Sequence, residues 1–280
     1  MRKFLDARGG DRSNLARMND GDYVLGTRDD EVERLGLQHR VWRGRVLEAF
    51  RRARIRSGQT VIDVGAGPGF VARDLSDLVG PSGKVIALER SPHFVARLRE
   101  RGLANVEVRE QDVSEPFGIE GADASWCRWL LSFVADPAAT VRHIGAALKP
   151  GGIAVFHEYA AYGTWRMMPP DPLQERFRSL VMQSWSDSGG EPDVALWLPQ
   201  WLGEAGFEIV ETRILADIIT PADETWQWPR AFMETGARRL HELGYIDAGE
   251  VEAMARLLDD PPEGAHMLTP LVAEVIARKR

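Results

Sequence analysis

Hydrophobic positions along the first half of the chain alternate between two periods. From Asp29 onward, "DDEVERLGLQHRVWRGRVLEAFRRARI" places Val32, Leu35, Trp42, Val46 and Phe50 on one stripe of a helix, with Asp29 and Asp30 at its acidic start. Short apolar runs follow. Residues 60–64 form a strand ending in "VIDV", the sequence after Gly69 reads as a helix to about Leu78, and "GKVIALE" is a second strand. "SPHFVARLRERG" is a helix with Ser91 as N-cap, and "NVEVREQD" a third strand. The alternation continues through the strand "ADASWCRW", the helix "DPAATVRHIGAAL", the turn "KPGG" and the strand "IAVFHEY". Strands separated by helices predict crossover connections, hence an α/β fold with a doubly wound, mainly parallel sheet.

Past Tyr159 the regularity lapses in "AAYGTWRMMPPDPLQERFRSLVMQSWSDSGGEPD", rich in Pro, Met and Trp. It resumes with the helix "LWLPQWLGEAG", a sixth strand "FEIVETRIL", two helical stretches between about 222 and 258, and a last apolar run "MLTPLVAEVIARK". The reading is one domain over residues 1–280, carrying cap segments at about 1–35, 161–199 and 222–262.

Composition fits this reading: 280 residues, 44% hydrophobic and 28% charged, can bury a sizeable core. With 35 basic against 42 acidic residues the net charge is −7, which argues against a phosphate-backbone binder, so no nucleic-acid partner is expected. The single cysteine, Cys127, excludes an internal disulfide, sits in an apolar strand as a small hydrophobe, and has no Cys/His cluster of zinc spacing around it. "MRKFLDARGGDRSN" lacks an apolar signal segment and no run of about 18 apolar residues occurs, so a cytoplasmic protein without membrane contact is expected.

The candidate chemistry starts at "VIDVGAGPGF". Gly65, Gly67 and Gly69 let the backbone turn tightly at the end of a buried strand and approach a ligand closely. Glu89 ends the next strand twenty positions after Gly69, where a carboxylate can accept from both hydroxyls of an adenosine ribose. A dinucleotide fingerprint is G-x-G-x-x-G; here the third glycine falls one position early and Phe70 takes its place. That spacing disfavours NAD and FAD, and leaves a nicotinamide-dependent oxidoreductase as the alternative.

Five segments in order resemble the motifs of the class I S-adenosylmethionine-dependent methyltransferases, in particular the ubiquinone/menaquinone-biosynthesis type. They are "VIDVGAGPGF", "VIALERS", "EQDV", "ADASWCRWLLSFVADP" and "LKPGGIAVFHEY". "YVLGTRDDEVERLGLQ" also resembles an N-terminal cap segment of that branch. The resemblance implies a Rossmann-like, seven-stranded sheet under a largely helical cap, with S-adenosyl-L-methionine as cofactor. It implies that Gly65, Gly67 and Gly69 lie against the methionyl and ribose portion, with Asp63 near the amino group and Glu89 on the ribose. Asp112 and the Val113 amide would meet the adenine, and Arg90 its face. The Arg128 backbone would face the methionyl group, and Tyr23 and Gln38 would close over the cofactor. A sulfonium methyl is already activated for attack by N, O or C, so no metal set or nucleophile triad is needed. His157 and Tyr159 emerge from the fifth strand at the edge where open sheets bind ligands, which makes His157 the candidate general base. Trp129, Tyr159 and Trp165 are the candidate wall for a small, partly apolar acceptor. A catalytically silent binding module is the second alternative.

Overall fold

The computed structural model describes residues 29–280. Helix α1 (Asp29–Arg52) opens it, with Asp29, Asp30 and Glu31 in its first turn and Arg51 and Arg52 in its last, each complementing the helix dipole. Then follow β1 (Thr60–Val64), α2 (Phe70–Val79), β2 (Lys84–Glu89), α3 (Pro92–Glu100), β3 (Val106–Glu110), β4 (Ala122–Arg128), α4 (Pro137–Ala147) and β5 (Leu148–Ala161). Ser91 caps α3 by accepting from the Phe94 amide, and Asp136 caps α4 through the Ala139 amide. Beyond β5 come β6 (Arg166–Met168), α5 (Pro172–Asp187), α6 (Leu198–Glu204), β7 (Phe207–Leu215) and β8 (Ile218–Ile219). The chain ends in α7 (Gln227–Glu242), α8 (Ala248–Asp259), β9 (His266–Leu268) and β10 (Leu271–Lys279).

The main sheet has seven strands in the order β3-β2-β1-β4-β5-β10-β7. Its first five are parallel, while β10 runs antiparallel between β5 and β7. The chain leaves β1 outward to β3 and returns to β4 on the other side, so the connections diverge above the carboxyl ends of β1 and β4. Open α/β sheets bind ligands in that crevice.

Strand alternation sorts the core into faces. Ile62, Val64, Cys127 and Phe156 pack with Ile144 and Leu202, on the face covered by α4 and α6. Val61, Trp126 and Val155 pack with Val46 and Phe50 of α1 and Leu75 of α2. A third cluster gathers Trp42, Phe177, Trp185, Trp228 and Met233 from α1, α5 and α7 with Trp165 and Trp226 from the segments just before β6 and α7, and Tyr159 and Val272 join it to the sheet.

Two features differ from the sequence reading. The run "MLTPLVAEVIARK" divides around Thr269 and Pro270 into two strands, and β9 joins β6 and β8 in a separate three-stranded sheet that short, irregular runs did not signal. Strand β5 is fourteen residues long, taking in the "KPGG" segment at its start and extending to Ala161, where β10 pairs with it from Leu271 opposite Ala161 to Arg278 opposite Ile153. Among the described residues no helix is long and apolar enough to cross a membrane.

Candidate cofactor and acceptor cavity

A cavity of about 440 Å³ lies above the β1/β4 divergence, floored by the glycine loop. The three glycines have separate spatial reasons. A Cβ on Gly65, φ +72°, would lie 2.9 Å from Leu130 Cδ1, whereas one on Gly67, φ +54°, would enter open space within the cavity wall. A Cβ on Gly69 would run into the Leu98 side chain, and Gly69 does not line the cavity. Its smallness serves the packing of α2 against α3, which corrects its place among the ligand-facing residues.

Glu89 ties the loop to the next element. Its two carboxylate oxygens accept from the Gly67 amide and the Ser91 amide, each at 2.8 Å, so the side chain is held at the cavity edge with one further lone pair on each oxygen. Burial pushes its pKa up, against the amides of Ser91, Gly67 and Arg90. Asp63, 2% exposed, has one oxygen without a hydrogen-bond partner. Burial pushes it up to about 7, with Arg128 opposing and Glu89 reinforcing. Across the crevice Asp112 accepts from the Ser114 amide and hydroxyl at 2.9 and 2.7 Å, and Arg90 stands 3.7 Å from its other oxygen.

Helix α1 forms the roof. Gly36 lets the Phe70 ring fit beneath it, since a Cβ there would sit 2.9 Å from that ring, and His39 stacks on the same ring at 5.8 Å. His39 and Arg43 both bind Asp74 of α2, at 3.2 and 3.0 Å. Gln38 lines the cavity while its carbonyl accepts from Arg34 at 2.9 Å and from the Trp228 indole at 3.2 Å, linking α1 to α7.

The structure thus brings Gln38, Asp63, Gly65, Gly67, Glu89, Arg90, Asp112, Val113, Arg128 and Trp129 to one cavity. Tyr23 lies outside the described residues. Three expectations are corrected. His157 is fully buried in mid-strand, its Nε2 bonded at 2.8 Å to Glu274 of β10, and burial together with Arg128, Arg52 and Arg45 holds its pKa well below the usual range. It does not reach the cavity, so it is not placed to act as a base there. Tyr159 stacks behind Trp129 with ring centroids 5.6 Å apart and does not line the cavity. Trp165 is 1% exposed, its indole directed at the Met267 sulfur, inside the third cluster and away from the cavity.

Sequence reasoning missed Leu35, Phe70, His93, Phe94, Leu130 and Phe133, which also line the cavity. Leu35 was findable, because it precedes Gln38 by one helical turn. Leu130 and Phe133 belong to an irregular turn after β4 with no period to reveal them. That turn is anchored by Glu158, whose Oε1 accepts from the Leu130 and Leu131 amides at 3.0 and 3.1 Å, and which burial raises to about 7.

Comparison with known proteins places this geometry. Residues 62–156, from β1 to β5, match the family described as "Methyltransferase domain". Over 121 residues the chain is 31% identical to the demethylmenaquinone methyltransferase of Staphylococcus carnosus, covering 42% of this chain and 49% of that protein. Over 131 residues it is 31% identical to the ubiquinone/menaquinone biosynthesis C-methyltransferase UbiE of Pseudomonas putida, covering 45% and 50%. The chain therefore spans about half the length of the curated relatives it matches. In fold it is similar to a Bacillus halodurans protein assigned as a methyltransferase, with TM-score 0.57 and 18% identity over 83% of this chain and 97% of that one. The matched segment carries the glycine loop, Glu89, Asp112 and Arg128, on a sheet of the order and direction described above, and over that segment the chain is similar to the methyltransferase domain family.

Proposed function

We propose that the protein transfers a methyl group from S-adenosylmethionine to an N, O or C atom of a small, partly apolar acceptor. The observation that carries this reading is Glu89, held by the Gly67 and Ser91 amides with acceptor capacity still facing the cavity, beside a glycine whose missing side chain leaves that space open. The donor set fits the cofactor. Glu89 would accept from the ribose hydroxyls, and the unpartnered Asp63 oxygen would accept from the amino group. Asp112 and Val113 would meet the adenine beside Arg90. Tyr23, beyond the described residues, is proposed with Gln38 to cover the site.

When bound, the cofactor supplies a methyl already activated toward in-line displacement. The chain's residues then have to align the acceptor, exclude water and leave room for one proton to depart. Leu35, Trp129, Leu130, Phe133 and Val134 supply an apolar wall suited to excluding water. No side chain on that wall is required as a nucleophile. The matched family segment, residues 62–156, holds most of that wall, and α1 with Leu35 lies outside it.

Calorimetric titration with S-adenosylhomocysteine and with NADH tests the cofactor, and transfer of a labelled methyl group into fractionated metabolite extract tests the reaction. Binding of S-adenosylhomocysteine and a labelled product are expected. NADH binding without S-adenosylhomocysteine binding would overturn the class, and cofactor binding without any labelled product would mark a silent binding module.

A further inference from the structure

Arg128, the last residue of β4, lines the cavity and among the described residues forms no ion pair, the Asp63 carboxyl acting on it only from beyond contact distance. Its Nη1 is buried without a hydrogen-bond partner, and among the described residues no carboxylate or carbonyl comes within bonding distance of any of its nitrogens. Two other arginines largely withdrawn from water are paired: Arg34 with Glu31, and Arg52 with Glu274. A guanidinium has five N–H donors in a planar fork, and withdrawing it from water unpaired is costly unless a ligand oxygen completes it.

The side chain is also held in place. Its Cζ lies 4.9 Å from the Trp129 ring centroid and 6.0 Å from that of Trp126. Trp129 takes φ +49°, a left-handed conformation that is strained for a bulky residue and persists only where neighbours enforce it. Here the Trp129 amide donates to the His157 carbonyl at 2.9 Å, and the indole stacks on Tyr159 and Trp228, with ring centroids 5.6 Å away in both pairs. The Trp129 Nε1 is a second buried donor without a partner. Asp63 lines the same cavity but forms no ion pair with Arg128, which leaves an unpaired carboxyl and an unpaired guanidinium on one wall. Burial lowers Arg128 only to about 10, so it remains a cation at neutral pH.

We infer that the Arg128 guanidinium is the carboxylate-binding residue of this cavity. The inference rests on the methyltransferase reading for its two sources of carboxylate, the methionyl end of the cofactor or an acid group on the acceptor. Full-length parent, Arg128→Gln and Arg128→Lys proteins are titrated with S-adenosylhomocysteine and with its decarboxylated analogue. Benzoate is then titrated into the free and the S-adenosylhomocysteine-saturated proteins, followed by tryptophan fluorescence. If the cofactor is the source, the parent prefers the carboxylated ligand at least tenfold and Arg128→Gln erases the preference. If the acceptor is the source, that preference is independent of Arg128, while benzoate binding to the saturated protein falls at least tenfold in Arg128→Gln. Partial recovery in Arg128→Lys is expected in either case. Thermal unfolding serves as the control: losing a half-buried cation that forms no ion pair should not lower the midpoint, whereas a purely structural role would lower it. Variants equal to the parent in both titrations overturn the inference. Should the parent bind neither adenosyl ligand, the methyltransferase reading fails, and benzoate binding to the free protein still decides the role of Arg128.

Discussion

Replacing Asp63 by Asn separates what this carboxyl does for the fold from what it does for a ligand. The residue is 2% exposed, one oxygen is unpartnered, and burial raises it from an ordinary 3.8 to about 7. A displacement of that size penalises the ionised form by about 4 kcal/mol at most. The sign follows from proton counting. Between the two values the folded chain keeps this proton and the unfolded chain releases it, so the parent loses stability as pH rises from about 4 to about 7 and stays level above that. Asparagine has no proton to lose. The advantage of Asp63→Asn over the parent should therefore grow by about 2–3 kcal/mol between pH 5 and pH 8. Taking the difference between the two proteins cancels the similar slope from Glu158, which is also raised to about 7. Urea unfolding of the ligand-free proteins at the two pH values measures it. Calorimetry at pH 8 should at the same time show S-adenosylhomocysteine binding at least tenfold weaker, because the ligand ammonium has lost its carboxylate. A stability difference that is the same at both pH values would refute the argument, since Asp63 would then ionise in the fold as it does in the open chain.

Three further outcomes follow from particular contacts. Gly67→Leu should weaken S-adenosylhomocysteine binding at least a hundredfold while costing only about 1–2 kcal/mol from its positive φ; Gly69→Leu should instead unfold at much lower urea, because its side chain collides with Leu98, and the reverse pattern would mean the loop is misread. His157→Ala should lower stability by about 2–4 kcal/mol, from a cavity beneath Trp126 and an orphaned Glu274 oxygen, and leave the single-turnover rate of folded enzyme unchanged; a large fall in rate would restore it to the chemistry. Glu158→Gln should match the parent at pH 5 and be the more stable at pH 8, whereas Glu158→Ala should release the Leu130 and Leu131 amides and weaken cofactor binding, both read by urea unfolding and calorimetry.

The cofactor half of the site was legible because local rules determine it. A buried strand followed by glycines at alternate positions has few backbone solutions, and the next strand must end beside it, so Asp63, Gly67, Glu89 and Asp112 could be located from spacing and resemblance together. Ser91 was readable as a cap for the same reason, acting within three residues of itself. The cap was not legible. Its aromatics are spread over α1, α5, α7 and the strands, and which of Trp165, Trp185 and Trp228 fill its own core depends on contacts between distant segments.

His157 shows how such a reading fails. Taken alone, "IAVFHEY" ends near Tyr159, which would put its last residues at the ligand edge. Whether a strand stops there, however, depends on its neighbours. On one side β4 ends at Arg128, which is in register with His157, so from that level onward β5 has no partner on that side. On the other side β10 continues past it, pairing Glu274 with His157 and Leu271 with Ala161. The partner that keeps His157 in mid-sheet thus lies 117 residues away, in a run whose direction in the sheet the sequence does not encode locally. The same register explains why Arg128 forms no ion pair among the described residues. It is where β4 leaves the sheet, so its side chain passes from strand packing into the crevice, while the carboxylate at the same level two strands away, Glu274, is already taken by His157 and Arg52. At one level of the sheet, therefore, the acid Glu274 is paired while the cation Arg128 faces the crevice, and both follow from where β4 and β10 end.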